Sequence, residues 1–267
     1  MKYVLGNLRA EFIKSQRTLV YWLMILCPLI LVGLVFLIFN ADNKDFAKNM
    51  AKSKDNPWGG FYQMHYQVLV MLFLPLYIAM ANNLLYAKEH QYKMWKQLYA
   101  LPVPKWSVFV AKSLFSIGSL FISFLIFAIL IMISGYWLNY IYPQFTLNRH
   151  DNLFWNHIGL MLRLFVAAWG IWAIHNWLSL RFGNFALSIG VAILSVVLTP
   201  IALQSFGKIG NWIYVYPYTY AILSLKSPVN TQAVRDFTQP PILLGIGVAL
   251  LFSTLGYWEY RRKAISA

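Results

Sequence analysis

Two stretches of the chain, residues 64–87 and 113–138, contain no charged side chain. Each is long enough to cross a bilayer as a helix, because about 20 apolar residues span its ~30 Å core. Four more apolar runs, 18–39, 157–180, 184–206 and about 240–258, meet the same length rule. The expectation is an all-α, polytopic membrane protein with six transmembrane helices. Sixty per cent of the residues are hydrophobic and 11% are charged, which fits that class. The runs reach from end to end of the 267 residues. We therefore read 1–267 as one transmembrane domain, with no room for a second folded unit. The first run is too long for a signal-peptide core and no clear small-x-small site follows it, so it is read as a retained span.

The formal net charge of +14 raises nucleic acid as a partner, and the placement of the charges argues against it. Lys2, Arg9, Lys14 and Arg17 precede the first run. Lys88, Lys93, Lys96, Lys105 and Lys112 lie between the second and third. Arg181 follows the fourth, and Arg261, Arg262 and Lys263 follow the sixth. With both termini inside, these 13 of the 22 basic residues share one side with only three acids, Glu11, Glu89 and Glu259. Leaving out Arg163, the other side holds eight basic residues against five acids. A basic excess marks the cytoplasmic face. The reading is a multi-pass protein of the cytoplasmic membrane with both termini cytoplasmic, its basic residues facing anionic lipid.

The loop between spans two and three is patterned. Tyr92, Trp95, Leu98, Tyr99 and Leu101 fall close to one helical face, with Lys93 and Lys96 off it. Leu101, Pro102, Val103 and Pro104 then stop the helix, since proline lacks the amide hydrogen and restricts the residue before it. Two readings stand at this point: a helix lying in the lipid headgroups, or a knob that docks a cytoplasmic partner.

Lys88, Glu89 and His90, then Trp95, Lys96, Gln97 and Leu98, then Leu101 to Pro104 and Lys112, resemble the first cytoplasmic loop of type-2 ABC permeases. The resemblance implies a coupling helix seated in a groove of a separate ATPase subunit. It implies an ATPase-coupling interface of Glu89, Tyr92, Trp95, Leu98, Leu101 and Pro102. It also implies ATP with Mg on that partner, none on this chain, and a second permease, identical or similar. His90 stands where the family often has Arg. A short six-span chain of this kind is similar to permeases of bacteriocin-immunity and antimicrobial-peptide export. The implied function is an ATP-driven exporter of an amphipathic peptide or hydrophobic compound.

The rest of the chain is read as follows. Residues 2–17 form an interfacial helix with Val4, Leu5, Leu8, Phe12 and Ile13 on its apolar face. Trp58 to Tyr62 mark re-entry at a membrane interface. Ser113, Ser116, Ser119 and Ser123, with Gly118, make a small-residue stripe suited to close helix packing. Ser119 and Ser123 are the alternative lining of a substrate path, together with Arg163, His175 and Asn176. Arg163 is expected to snorkel outward, being about four positions from a span end. Residues 207–239 are too aromatic for a tail and too interrupted to span. They read as short interfacial or re-entrant helices between spans five and six.

Enzymatic signatures are lacking. The chain has no G-x-x-x-x-G-K-[ST], no H-E-x-x-H and no G-x-S-x-G. Cys27 is the single cysteine, and the five histidines have no metal-ligand spacing. No catalytic or metal-binding residue is assigned. Two other classes stay open: a membrane scaffold or assembly protein without ATP coupling, and an intramembrane enzyme built on Arg163 or His175.

Overall fold

The computed structural model describes residues 2–16, 18–42, 56–91, 102–205 and 211–266, and these are helical with no strand. Helix α1 (Lys2–Ser15) precedes span one, α2 (Leu19–Ala41). Span two comprises α3 (Pro57–Val68), a π turn (Leu69–Phe73) and α4 (Leu74–Gln91). Span three is α5 (Lys105–Ile141). Span four is α6 (Phe154–Ala167) with α7 (Trp169–Arg181), and span five is α8 (Phe185–Ser205). Two short helices, α9 (Tyr220–Leu223) and α10 (Thr231–Arg235), lead to span six, α11 (Pro240–Ser266). Among the described residues, six helical stretches are long and apolar enough to cross a membrane.

Local chemistry sets the span ends. Span two starts at Pro57, earlier than the apolar run, because the Asn56 side chain accepts from Trp58 N at 3.0 Å and proline suits a first helical position. The Leu74 N–H then bonds back to Leu69 O, five residues away. Pro75 follows at once, and in a regular helix its ring would clash with the carbonyl four residues earlier. The wider turn takes up that conflict. Span three starts at Lys105, behind Pro104, and runs for 37 residues. At 1.5 Å per residue that is about 55 Å, well beyond the ~30 Å core.

Span four stands in the middle of the bundle, packed by α4, α8 and α11. Its contact with α11 is backbone to backbone. A Cβ on Gly170 would stand 3.3 Å from Gly245 O, and one on Gly245 would stand 3.2 Å from Ala167 O. Small residues permit this approach where lipid supplies no hydrophobic drive between helices. On the far side α5 packs on α2 and α1.

One expectation is corrected. Trp58, Phe61 and Tyr62 do not sit at a lipid interface but are buried. Residues 143–149 fold over them as two 3₁₀ turns, Trp58 Nε1 donates to Leu147 O at 2.9 Å, and Tyr62 OH donates to Asn152 O at 2.8 Å. The buried residues of α1 are Glu11 and Ser15, while Leu5, Phe12 and Ile13 are exposed. The helix thus turns its polar face to the protein and its apolar face outward. The segment after span five reaches into the bundle. Tyr218 OH is 3.1 Å from His175 Nε2. His175 stands 21 residues into a span that begins at Phe154, about 32 Å along it, so the segment dips deep between α7 and α8.

Candidate functional site

At the α1 end, four charged side chains from three helices meet. Lys112 Nζ on α5 lies 2.7 Å from Glu89 Oε1 on α4 and 3.1 Å from Glu11 Oε2 on α1. Lys14 Nζ lies 2.7 Å from the same Glu89 oxygen and 2.8 Å from Glu11 Oε1. Glu11, Glu89 and Lys112 are buried, and Lys14 is half-buried. Two anions and two cations leave the group neutral, the condition under which charges can be held out of water. Burial pushes the Glu89 carboxyl up, but Lys112 and Lys14 outweigh it and hold it below its ordinary 4.5. Burial pulls the Lys14 ammonium down, and Glu11 with Glu89 more than reverses this, raising it above 10.5.

The cluster brackets the loop of the resemblance. Glu89 is in the last turn of α4 and Lys112 in the third turn of α5, so the two stalks of loop 92–101 are joined below it. Further bonds tie the stalks to span four. His90 Nε2 donates to Ser179 O at 2.9 Å, so the residue that departs from the family pattern is used within the chain. Tyr86 OH donates to Asn176 Oδ1 at 3.0 Å, and Lys112 Nζ stands 5.1 Å from the Tyr86 ring centre. Asn7 Nδ2 donates to Ser107 Oγ at 3.0 Å, seating α1 on the first turn of α5. Of the six expected interface residues, Glu89 faces inward and is closed to any partner surface, and Pro102 is exposed at the foot of α5. Tyr92, Trp95, Leu98 and Leu101 lie outside the described residues.

The five candidate path residues do not come together. Arg163 is enclosed by protein: Nε donates to Ser224 O at 2.7 Å, one terminal nitrogen donates to Ala233 O at 3.0 Å and to Asp236 O, and the other donates to Gln239 Oε1. The expected snorkelling to lipid headgroups does not occur, because the chain from 224 to 239 supplies the acceptors instead. His175 is buried with both ring nitrogens engaged, Nδ1 at 2.9 Å from Ser188 Oγ and Nε2 with Tyr218. Asn176 takes the Tyr86 bond. Ser123 Oγ donates to Met24 O at 3.2 Å and accepts from Tyr77 OH at 2.6 Å. Ser119 Oγ donates within its own helix to Ser116 O at 2.7 Å. Among the described residues no three His, Cys, Asp or Glu side chains gather as a metal would require.

The chain matches a known family over most of its length. Residues 7–199 fit the family model described as ABC-2 family transporter protein. The chain belongs to that family. No curated protein matches it significantly. ABC-2 permeases are membrane transport subunits that work with separate ABC ATPases. The match runs from α1 into span five, so the dipping segment and α11 lie beyond it.

One surface of this ABC-2 permease was missed in the sequence. Gln63, Met64, Gln67, Val68, Met71 and Leu72 recur at three- and four-residue steps and line an open cavity of about 610 Å³ on span two. Gln63 and Gln67 are exposed there. The signal was available: two glutamines four residues apart at the start of a span without charge.

Proposed function

We propose that the chain is the membrane-spanning subunit of an ATP-driven exporter, working beside a second permease, identical or similar, with the α1 end and both termini in the cytoplasm. The observation that carries this reading is the buried Glu89–Lys112 pair. It closes the foot of the loop, so that a displacement of residues 92–101 moves α4, α5 and α1 as one body. Tyr92, Trp95, Leu98 and Leu101 fill an apolar groove on the ATPase, with Pro102 ending the knob. Glu89 orients the loop from within. ATP and Mg belong to the partner, and closure of the ATPase dimer is passed through the loop to the spans. The cargo is an amphipathic peptide or a hydrophobic compound. The mixed face of Gln63 and Gln67 beside Met64, Val68, Met71 and Leu72 suits such cargo, since methionine adapts its shape and glutamine offers both donor and acceptor.

The test is the ATPase recovered per permease after detergent pulldown. A buried aromatic anchor costs about 2 kcal/mol or more when truncated, roughly thirtyfold in affinity. Trp95→Ala with Leu98→Ala strips the ATPase, and Lys93→Gln with Lys96→Gln does less, because rim charges contribute little. A scaffold whose loop only rests on lipid gives the reverse order. Equal recovery from wild type and the Trp95/Leu98 double variant, with export unchanged, removes the coupling role.

A further inference from the structure

A second cavity, of about 730 Å³, opens between α1, α2 and α5. Its walls are apolar, with Phe12 from α1, Met24 from α2, and Phe115 and Ile122 from α5 among them. Its α5 wall runs from Leu114 to Ile126, about 18 Å along the helix. That is close to one leaflet's share, about 15 Å, of the hydrocarbon core. Gly118 forms part of this wall, and a Cβ placed there would meet nothing within 4 Å, so the glycine leaves a trough rather than a packing contact. At the α1 end the wall carries one cation, Arg9. Arg9 is exposed, and among the described residues no carboxylate pairs with it, Glu11 being taken by Lys14 and Lys112.

An apolar trough one leaflet deep, headed by an unpaired guanidinium at the level of an interfacial helix, has the charge and shape of an anionic phospholipid. We propose that this cavity holds one such lipid from the leaflet on the α1 side, its phosphate on Arg9 and an acyl chain along Gly118. Identifying that leaflet as the cytoplasmic one rests on the orientation given under the proposed function. The bound lipid fills the outer side of α1, whose inner side is held by the Glu11–Lys14 ion cluster. It is a fixed part of the fold rather than the cargo.

The test uses the purified full chain, delipidated in detergent, reloaded with phosphatidylglycerol or phosphatidylcholine and read by native mass spectrometry. Wild type retains phosphatidylglycerol in preference to phosphatidylcholine. Arg9→Gln lowers that retention about fivefold, the weight of one basic residue at an anionic surface, and Arg9→Lys restores most of it. Gly118→Leu fills the trough and lowers retention of both lipids, while gel filtration shows the variant still folded. Inorganic phosphate at millimolar concentration does not displace the lipid if the chain contributes to binding. Equal retention by wild type and Arg9→Gln, no preference between the two lipids, or displacement by free phosphate would each overturn the proposal. None of these readings involves an ATPase or transport, so they stand or fall apart from the exporter reading.

Discussion

Lys112 and Glu89 are 23 residues apart in the chain and 2.7 Å apart in space, both buried. Together they join the two stalks of the loop that carries the sequence resemblance. Removing Lys112 leaves Glu11 and Glu89 to share the one half-buried cation Lys14, so that one buried negative charge is uncompensated. Lys112→Met alone should therefore destabilise the detergent-solubilised protein by about 3–5 kcal/mol. Glu89→Gln with Lys112→Met removes one charge of each sign and leaves Glu11 and Lys14 paired at 2.8 Å. The double variant should unfold at a higher temperature than Lys112→Met. A double variant less stable than either single one would show that the pair is not the unit that matters.

The same cluster sets a pH window. Glu89 has a folded value held below its ordinary 4.5, so its contribution is present above that value and is lost as pH falls through the lower folded one. Lys14 has a folded value raised above 10.5, so its contribution is present below 10.5 and is lost as pH rises through the higher folded one. Melting temperature measured against pH should be level between these limits and fall on the acid side below 4.5. In Glu89→Gln the part of the acid fall due to Glu89 should disappear.

Arg163 gives a third expectation. The guanidinium serves four acceptors on the chain between Ser224 and Gln239. Arg163→Leu strands those acceptors, and Arg163→Lys cannot fork to reach them. Both variants should release the segment, at a cost above about 3 kcal/mol for the leucine. The measurement is limited proteolysis between residues 224 and 239 in detergent. Resistance equal to wild type in Arg163→Leu would show that the clamp is redundant.

A fourth expectation concerns orientation. Cysteines placed at Lys48 and Asn148 should react with an impermeant thiol reagent added to intact cells, and one at Lys96 should not. Labelling at Lys96 from outside would invert the topology and with it the place of the ATPase.

Much of the fold was legible in the sequence because membrane spans are a matter of length and continuity. Uncharged runs such as 64–87 and 113–138 need no tertiary information to be recognised. What escaped was the side on which polar and aromatic groups face. Trp58 and Tyr62 have the composition of an interface belt, and it is the turns at 143–149 together with Tyr136 of α5 and His157 of α6 that make them core. Leu5, Phe12 and Ile13 form the outward apolar face expected of α1, but nothing local says that Glu11 on its other side meets Lys112. Arg163 looked like a snorkelling cation because its acceptors lie some 60 to 76 residues later in the chain. The Glu89 and Lys112 positions were visible as a motif, yet their direct contact is a property of two helices meeting, not of either one.

Helix α5 is 37 residues long and is held at its waist, where Ser116 Oγ donates to Asn82 Oδ1 and accepts from Trp172 Nε1, and Ser123 bonds Met24 O and Tyr77. A stiff rod held there has two unequal arms. From Lys105 to Ser116 the short arm is about 17 Å, and from Ser123 to Ile141 the long arm is about 27 Å. Any tilt of α5 about this waist carries its Ile141 end about 1.6 times as far as its Lys105 end, by the ratio of those arms.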